Sequence, residues 1–429
     1  MLCSAFSISQ LAIPSVSLLI SFLAYTSQYL LLNFEPAPIT DGELLWVNVF
    51  ALCIWICYYR ACSVDPGRIP KGWQLQDSKQ LESDRASGRS RWCRRCEAFK
   101  PPRAHHCKTC QRCIPKMDHH CPWTSNCVSH FTFPHFIRFL FYAVTGMTYL
   151  ETCLWERGAI IWASRHHPSY MGPSVIQIGH LFILFVVNSL TIFVLSILLA
   201  RTAWSLIFNT TVIETWEIER HETLLRRAKH FHGYLTSPHG TRVHIRKQEF
   251  PYDIGIWDNI KAGMGGSSNV LGWFWPLSRT SNPSTGLEFE TNGFENSNLS
   301  WPPPDPDRIP MPAPRAKGNL SPEAEASGYE DNQSPSSDPS KTSNGLAIQR
   351  RRRFHQRIDQ KTDEAENSAE SSSADSDQSD DGEQAWRNSE GERLRDFGVD
   401  EDAEFYDEED IPLAILVQQR AQAALKQVT

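Results

Sequence analysis

Seven cysteines and four histidines fall between Cys93 and Cys127, in the order Cys-x2-Cys-x9-His-Cys-x2-Cys-x2-Cys-x4-Asp-His-His-Cys-x5-Cys. Such clustering reads as metal binding rather than as a disulfide framework. A structural zinc ion takes four Cys or His ligands in a closed tetrahedron, so two ions need about eight ligands. The pairs Cys93/Cys96 and Cys107/Cys110 are natural bidentate knuckles, and Cys113 and Cys127 complete two sites with one histidine each. Cys121 is left over. It sits in Asp118-His119-His120-Cys121-Pro122-Trp123. There a neighbouring imidazole lowers a thiol pKa from about 8.5 toward neutrality. A carboxylate can hold a histidine in one tautomer and stabilise its cation. This is the chemistry of an activated nucleophile.

A metal-only scaffold of the zinc-ribbon or RING kind would use all these residues as ligands. A spare cysteine after Asp-His-His argues against that, as does a position between apolar stretches; a RING ubiquitin ligase is also cross-braced over a longer stretch. The other five cysteines, Cys3, Cys53, Cys57, Cys62 and Cys153, lie in or beside apolar segments. A free thiol there packs as a small hydrophobe, although Cys57 or Cys62 could instead be acylated.

The elements that must position this cluster are apolar. Stretches at about 6–32, 44–59, 136–155 and 175–200 stand out, and a bilayer core needs about 20 apolar residues per helix. The second is the shortest, with 16 uncharged residues from Leu44 to Tyr59. The first lacks a basic leader and is too long for a cleaved signal peptide. Loop charges set the orientation: residues 33–43 hold no Lys or Arg, 156–174 hold two, and 60–116 hold 14. The cysteine-rich segment and both termini are therefore expected in the cytosol. The sequons at Asn209, Asn298 and Asn319 would then lie on the wrong side for glycosylation.

The net charge of -7 conceals an asymmetry: residues 281–429 carry 15 Lys+Arg against 31 Asp+Glu. Rich in Pro, Ser, Asn, Asp and Glu, this tail is expected to be disordered, because it cannot bury enough apolar surface to offset its ordering entropy. A basic run, Arg350 to Arg353, and an apolar end, Ile411 to Val417, interrupt it. The expected domains are 1–62, the first two spans; 63–135, the zinc domain; 136–207, spans three and four; 208–280, a membrane-apposed cytosolic segment ending in VLGWFWP; and 281–429, the acidic tail.

The cluster resembles the DHHC protein S-acyltransferase family. The likeness rests on Lys100-Pro-Pro-Arg-Ala-His-His-Cys107, Met117-Asp-His-His-Cys-Pro-Trp123 and Asn126-Cys-Val128, and on the placement of the cluster between spans two and three. It implies an all-α membrane protein with four transmembrane helices and a cytosolic zinc-binding DHHC domain. It further implies that Cys93, Cys96, His106 and Cys113 bind one structural Zn2+, and Cys107, Cys110, His120 and Cys127 the other. Cys121 is then the nucleophile, His119 the general base and Asp118 its orienting partner. Asp65-Pro66-Gly67 looks like the family's DPG motif, Thr211-Val-Ile-Glu214 like its TTxE motif, and Asn259 like its bracing C-terminal asparagine. Val212, Ser129 and Thr132 depart from the family's Thr, Gly and Asn. By position these departures are expected to touch neither a ligand nor the nucleophile.

The resemblance implies a protein S-palmitoyltransferase working by ping-pong transfer from palmitoyl-CoA to cysteines of membrane protein substrates, with the lipid bilayer as a further partner and no nucleic acid. Phe250-Pro-Tyr-Asp253 and VLGWFWP look most like the fungal endoplasmic-reticulum branch associated with chitin synthase. Arg91, Arg94, Arg95, Lys100, Arg103 and Lys116 are candidate partners for CoA phosphates or anionic headgroups.

Overall fold

The computed structural model describes residues 8–35, 37–70, 72–73, 92–166, 172–237, 240, 242–282, 285–293, 301–303, 305–308 and 386–400. Helix α1 (Ile8–Ser21) passes through a π-helical turn (Phe22–Thr26) into α2 (Ser27–Leu32), and α3 (Asp41–Ser63) returns. Thr40 caps α3 in a capping box with Glu43, which satisfies two orphan donors at once. After the cysteine-rich region come α4 (Phe133–Ala163) and α5 (Val175–Phe208), the latter capped by Ser174 and Gln177.

Three helices among the described residues are long and apolar enough to cross a membrane: Leu11–Leu32, Asp41–Ser63 and Val175–Phe208. Helix α4 differs. It carries Arg138, Glu151, Glu156 and Arg157 within its 31 residues, yet it is the packing centre. Leu140, Ala143, Leu150 and Leu154 are buried between α3 and α5. Its charges are compensated: Arg157 meets both oxygens of Glu43 at 2.6 and 2.8 Å, and Glu151 accepts from Asn188 at 2.6 Å and from Ser189. Gly146 allows the close approach, since a Cβ there would stand 2.8 Å from Phe50 Cβ.

Among its described residues, the region between α3 and α4 has little regular structure of its own. It is three antiparallel hairpins: β1 (Trp92–Cys93) with β2 (Ala98–Phe99), β3 (His105–Cys107) with β4 (Arg112–Ile114), and β5 (His119–Cys121) with β6 (Asn126–Val128). Strands this short bury too little to fold alone, so ligands must supply the cross-links. Helix α6 (Val212–Lys229) then packs on the hairpins, followed by the hairpin β7 (Tyr234–Thr236) and β8 (Arg242–His244), α7 (Ile256–Gly263) and α8 (Val270–Phe274).

The expectation of a wholly disordered tail is corrected for its described parts. Phe289 lies against Arg103 and Tyr252, Asp305 and Asp307 pair with buried Arg220, and Leu394, Phe397 and Val399 enter the core of the hairpin domain. The Arg350 and Ile411 islands, Cys3, Arg91, Asn298 and Asn319 lie outside the described residues.

Candidate active site

Each metal cluster is nucleated by a cross-strand pair. His106 faces Cys113 across β3–β4, and His120 faces Cys127 across β5–β6; the knuckles Cys93/Cys96 and Cys107/Cys110 close the two sets. His106 Nδ1 lies 3.4, 3.3 and 3.8 Å from the sulfurs of Cys93, Cys96 and Cys113. His120 Nδ1 lies 3.6, 3.5 and 3.5 Å from those of Cys107, Cys110 and Cys127. Tetrahedral zinc with Zn–S about 2.3 Å and Zn–N about 2.0 Å requires N···S edges of about 3.5 Å. Both sets therefore fit zinc. With four protein ligands each, they are closed structural sites.

Alternation along β5 separates metal from chemistry. Successive strand residues point to opposite faces, so His120 turns to the cluster while His119 and Cys121 share the other face. Asp118 Oδ2 meets His119 Nδ1 at 2.7 Å, leaving Nε2 for the thiol. The other carboxylate oxygen, Oδ1, accepts the Val212 backbone N–H at 2.8 Å. Burial opposes charge on His119, but the hydrogen bonds to Asp118 and Cys121 outweigh it and raise its pKa to about 10. Burial likewise opposes ionisation of Cys121, yet the His119 cation and Thr124 bring the thiol below its ordinary value. Both shifts run toward a thiolate facing an imidazolium.

Cys121 is 5% exposed. It lines a cavity of about 330 Å³ walled by apolar residues of all the long helices, among them Leu19, Ile54, Phe139, Leu140, Val194 and Leu198. Trp123, 60% exposed, stands beside the thiol at the same wall. A wider open groove of about 920 Å³ by Trp204, Phe250 and Asp253 contains neither cysteine nor histidine.

Several residues pin the hairpins to the bundle. Asn126 Nδ2 donates to the Ala61 and Val64 carbonyls at 3.0 and 2.8 Å, Tyr58 to Trp123 O at 2.9 Å, and Arg112 pairs with Asp65 at 3.1 Å. Gly67 has φ +98°, and a Cβ there would collide with Phe131 at 2.6 Å, so the Asp-Pro-Gly turn admits no side chain at its third position. Asn259, wholly buried, donates to Ile207 O and Asp253 Oδ1, both at 2.7 Å. It ties the end of α5 to the segment before α7.

Some expectations need correction. Arg103 is not free to meet phosphates: buried, it holds Glu214 at 2.6 and 2.7 Å and stacks 4.4 Å from the Tyr252 ring. Lys100 is buried and Lys116 donates to Asn209 at 2.7 Å; Arg94 and Arg95 stay exposed. Val212, where the family has Thr, reaches Asp118 through its main chain. Thr211 and Glu214 instead form the capping box of α6. Ser129 and Thr132 share a hydrogen bond at 3.2 Å, and, against expectation, Thr132 does touch a ligand residue, at that residue's main chain. Ser129 Oγ donates to Pro66 O at 2.8 Å, and Thr132 Oγ1 donates to the carbonyl of the ligand residue Cys127 at 2.6 Å. Asn209, a sequon residue, is a buried helix cap that donates to Tyr252 O at 2.7 Å.

Sequence reasoning missed Tyr58, the bracing contacts of the motif residue Asn126, the Val212 main chain and residues 386–400. For the last a signal existed: Trp386 and Leu394-Arg-Asp-Phe-Gly-Val399 restore apolar residues within an acidic run.

A sequence profile described as DHHC palmitoyltransferase matches residues 86–219. The palmitoyltransferase pfa4 of Aspergillus fumigatus is 66% identical over 428 residues, covering 98% of this chain and 100% of the relative. Its counterpart in Emericella nidulans is 64% identical over 98% of each chain. That of Gibberella zeae is 40% identical over 92% of this chain and 90% of the relative. The chain belongs to the DHHC palmitoyltransferase family. Its activity is protein S-palmitoyl transfer, with acyl-CoA and protein substrates as its partners.

Proposed function

We propose that Cys121 is the acyl-carrying nucleophile, His119 its general base and Asp118 the residue orienting His119. One observation carries the assignment: Cys121 is the cysteine of the cluster that neither metal set uses, and it opens onto the apolar cavity while bonded to His119. The thiolate attacks the thioester carbonyl of palmitoyl-CoA, and the tetrahedral intermediate expels CoA thiolate, which takes the proton from His119. A substrate cysteine then gives its proton to His119, attacks the Cys121 thioester and releases the enzyme thiolate. Each buried methylene of the acyl chain contributes about 0.8 kcal/mol, so the cavity recruits the donor tail. Zinc, when bound, supplies cross-links that hold β5 in place.

We further propose four membrane spans, formed by α1–α2, α3, α4 and α5 and occupying residues 1–62 and 136–207, with 63–135 and both termini cytosolic. Residues 208–280 lie against the membrane surface. The distribution of Lys and Arg supports this orientation, and the paired charges of α4 support its crossing. We assign the protein to the endoplasmic reticulum membrane, with chitin synthase as a candidate substrate, on the likeness of its C-terminal motifs to that fungal branch.

The test is site-mapped autoacylation in detergent with labelled palmitoyl-CoA. Cys121→Ser is expected to abolish the hydroxylamine-labile adduct while zinc content stays at two per chain. A Cys121→Ser protein that still acquires the adduct refutes the nucleophile.

A further inference from the structure

Residues 386–400 are separated by a long stretch of chain from the nearest described residue, Arg308, yet they build into the hairpin domain. Val399 bridges Cys107 in antiparallel fashion, with Asp400 N–H on His106 O at 2.9 Å and Lys108 N–H on Gly398 O at 3.0 Å. Since β3 already pairs with β4 on its other side, the tail adds a one-residue bridge along the free edge of β3. That contact reaches the two consecutive residues, His106 and Cys107, that serve different metal clusters. Gly398 makes the fit possible. Its φ is +85°, and a Cβ would stand 2.6 Å from His120 Cβ, so glycine satisfies both the backbone and the contact.

The side chains reach further. Leu394, Phe397 and Val399 are buried with Met117, Ile213 and Trp216 in one cluster. Met117 and Ile213, both fully buried, are chain neighbours of Asp118 and Val212, the two residues joined by the 2.8 Å bond that fixes the carboxylate. Polar contacts hold the segment to α6 as well: Trp216 Nε1 donates to Glu392 O at 3.2 Å and Ser389 N to Glu219 Oε1 at 2.7 Å. The segment thus packs simultaneously on the hairpin carrying Asp118 and on the helix whose first N–H holds it.

We propose that residues 386–400 are a positioning strap for acyl transfer, holding the start of α6 against β5 so that Asp118 keeps His119 aimed at Cys121. This rests on the roles assigned above to those three residues. The strap touches no reacting atom. Its effect runs through the packing of Met117 and Ile213, so its loss slows acylation of Cys121 without altering the acyl cavity on the opposite face of β5.

The experiment uses the full chain in detergent, comparing wild type with Leu394→Asp/Phe397→Asp, Trp386→Asp, which removes the ring packed on Trp216, and the conservative Phe397→Leu. Single-turnover acylation by palmitoyl-CoA is measured as a function of donor concentration, with the adduct site-mapped and zinc counted. Expected for the first two variants is a loss of roughly 10- to 100-fold in the acylation rate constant, the range found when supporting partners of a site are removed. Half-saturation by palmitoyl-CoA and two zinc ions per chain should be unchanged, and Phe397→Leu should restore the rate. Wild-type rates in both disruptive variants overturn the proposal. So does rate loss that tracks zinc loss, which would make the strap merely structural. An adduct mapped to another cysteine in the wild-type chain overturns the nucleophile assignment and the strap with it; an adduct on Cys121 forming at full rate in the variants overturns the strap alone.

Discussion

In the hairpin domain, residues 92–132, no strand exceeds three residues, and the fold depends on ligand sets, buried ion pairs and main-chain bonds. The helix bundle has the opposite character: α3, α4 and α5 meet through Leu, Ile, Phe and Ala, and its central feature is a space. The first region fixes atoms through directed bonds, such as Asp118–His119 at 2.7 Å and Asp118–Val212 at 2.8 Å. The second supplies volume for a chain with no directional groups. On the proposed roles, reaction and substrate tail are therefore handled by different physics and meet at the cavity wall formed by Cys121, Trp123 and Thr124, and the two regions should fail in different ways.

The largest effect is expected in the hairpin domain. Binding of a structural zinc ion supplies on the order of 10 kcal/mol of folding free energy in small zinc modules. Cys127→Ser removes one of four ligands on the strand facing β5. It should lower zinc content from two ions to one and leave no measurable autoacylation; metal analysis beside the acylation assay checks both. Retained activity with one zinc would show that β5 holds its geometry by packing alone. Next is Asp118→Asn, which keeps the size of the side chain but removes its charge. The His119 cation loses its partner, and the rate should fall roughly 10²- to 10⁴-fold, with zinc and thermal midpoint little changed. An unaltered rate would remove Asp118 from the mechanism.

The bundle should respond in stability rather than in chemistry. Gly146→Leu forces a side chain into the 2.8 Å approach to Phe50, and overpacking of this kind costs about 1–3 kcal/mol. The thermal midpoint in detergent should drop while zinc stays bound. Zinc loss in parallel would mean that the two regions unfold as one unit and do not fail separately.

The same division explains what was legible in the sequence. Zinc ligands come at short local spacings, so residue type and spacing reveal the six cysteine ligands and the spare thiol. The choice of His106 and His120 among four histidines rests instead on the family resemblance and is explained by strand alternation, which sends His120 one way and Cys121 the other. The apolar helices were legible as lengths. Their cavity was not, because it depends on which residues of separate helices fail to meet. Arg103 misled for a related reason: a basic residue near a reactive cysteine looks like a phosphate ligand until Glu214, 111 residues away, is found beneath it. Val212 shows the limit most sharply. A main-chain N–H belongs to every residue but proline, so its contact with Asp118 leaves no mark on residue type.

The smallest effect is expected at the seam between the hairpin domain and the C-terminal segment. His130 meets Thr285 Oγ1 at 2.9 Å and packs edge-on against Phe131 and Phe289. Burial, then the Lys116 and Arg103 cations, push its pKa down to about 3. An unfolded histidine takes up its proton near pH 6.5. Between those two values the unfolded chain holds the extra proton, so acidification favours unfolding. Above pH 7 the residue is neutral in both states and contributes nothing to the slope. His130→Gln keeps a partner for Thr285 and removes the titration. Its thermal midpoint should match wild type above pH 7 and fall less steeply from pH 6.5 to 5. Parallel curves would mean that His130 charges in place, and that the seam admits a cation beside Lys116 and Arg103 without opening.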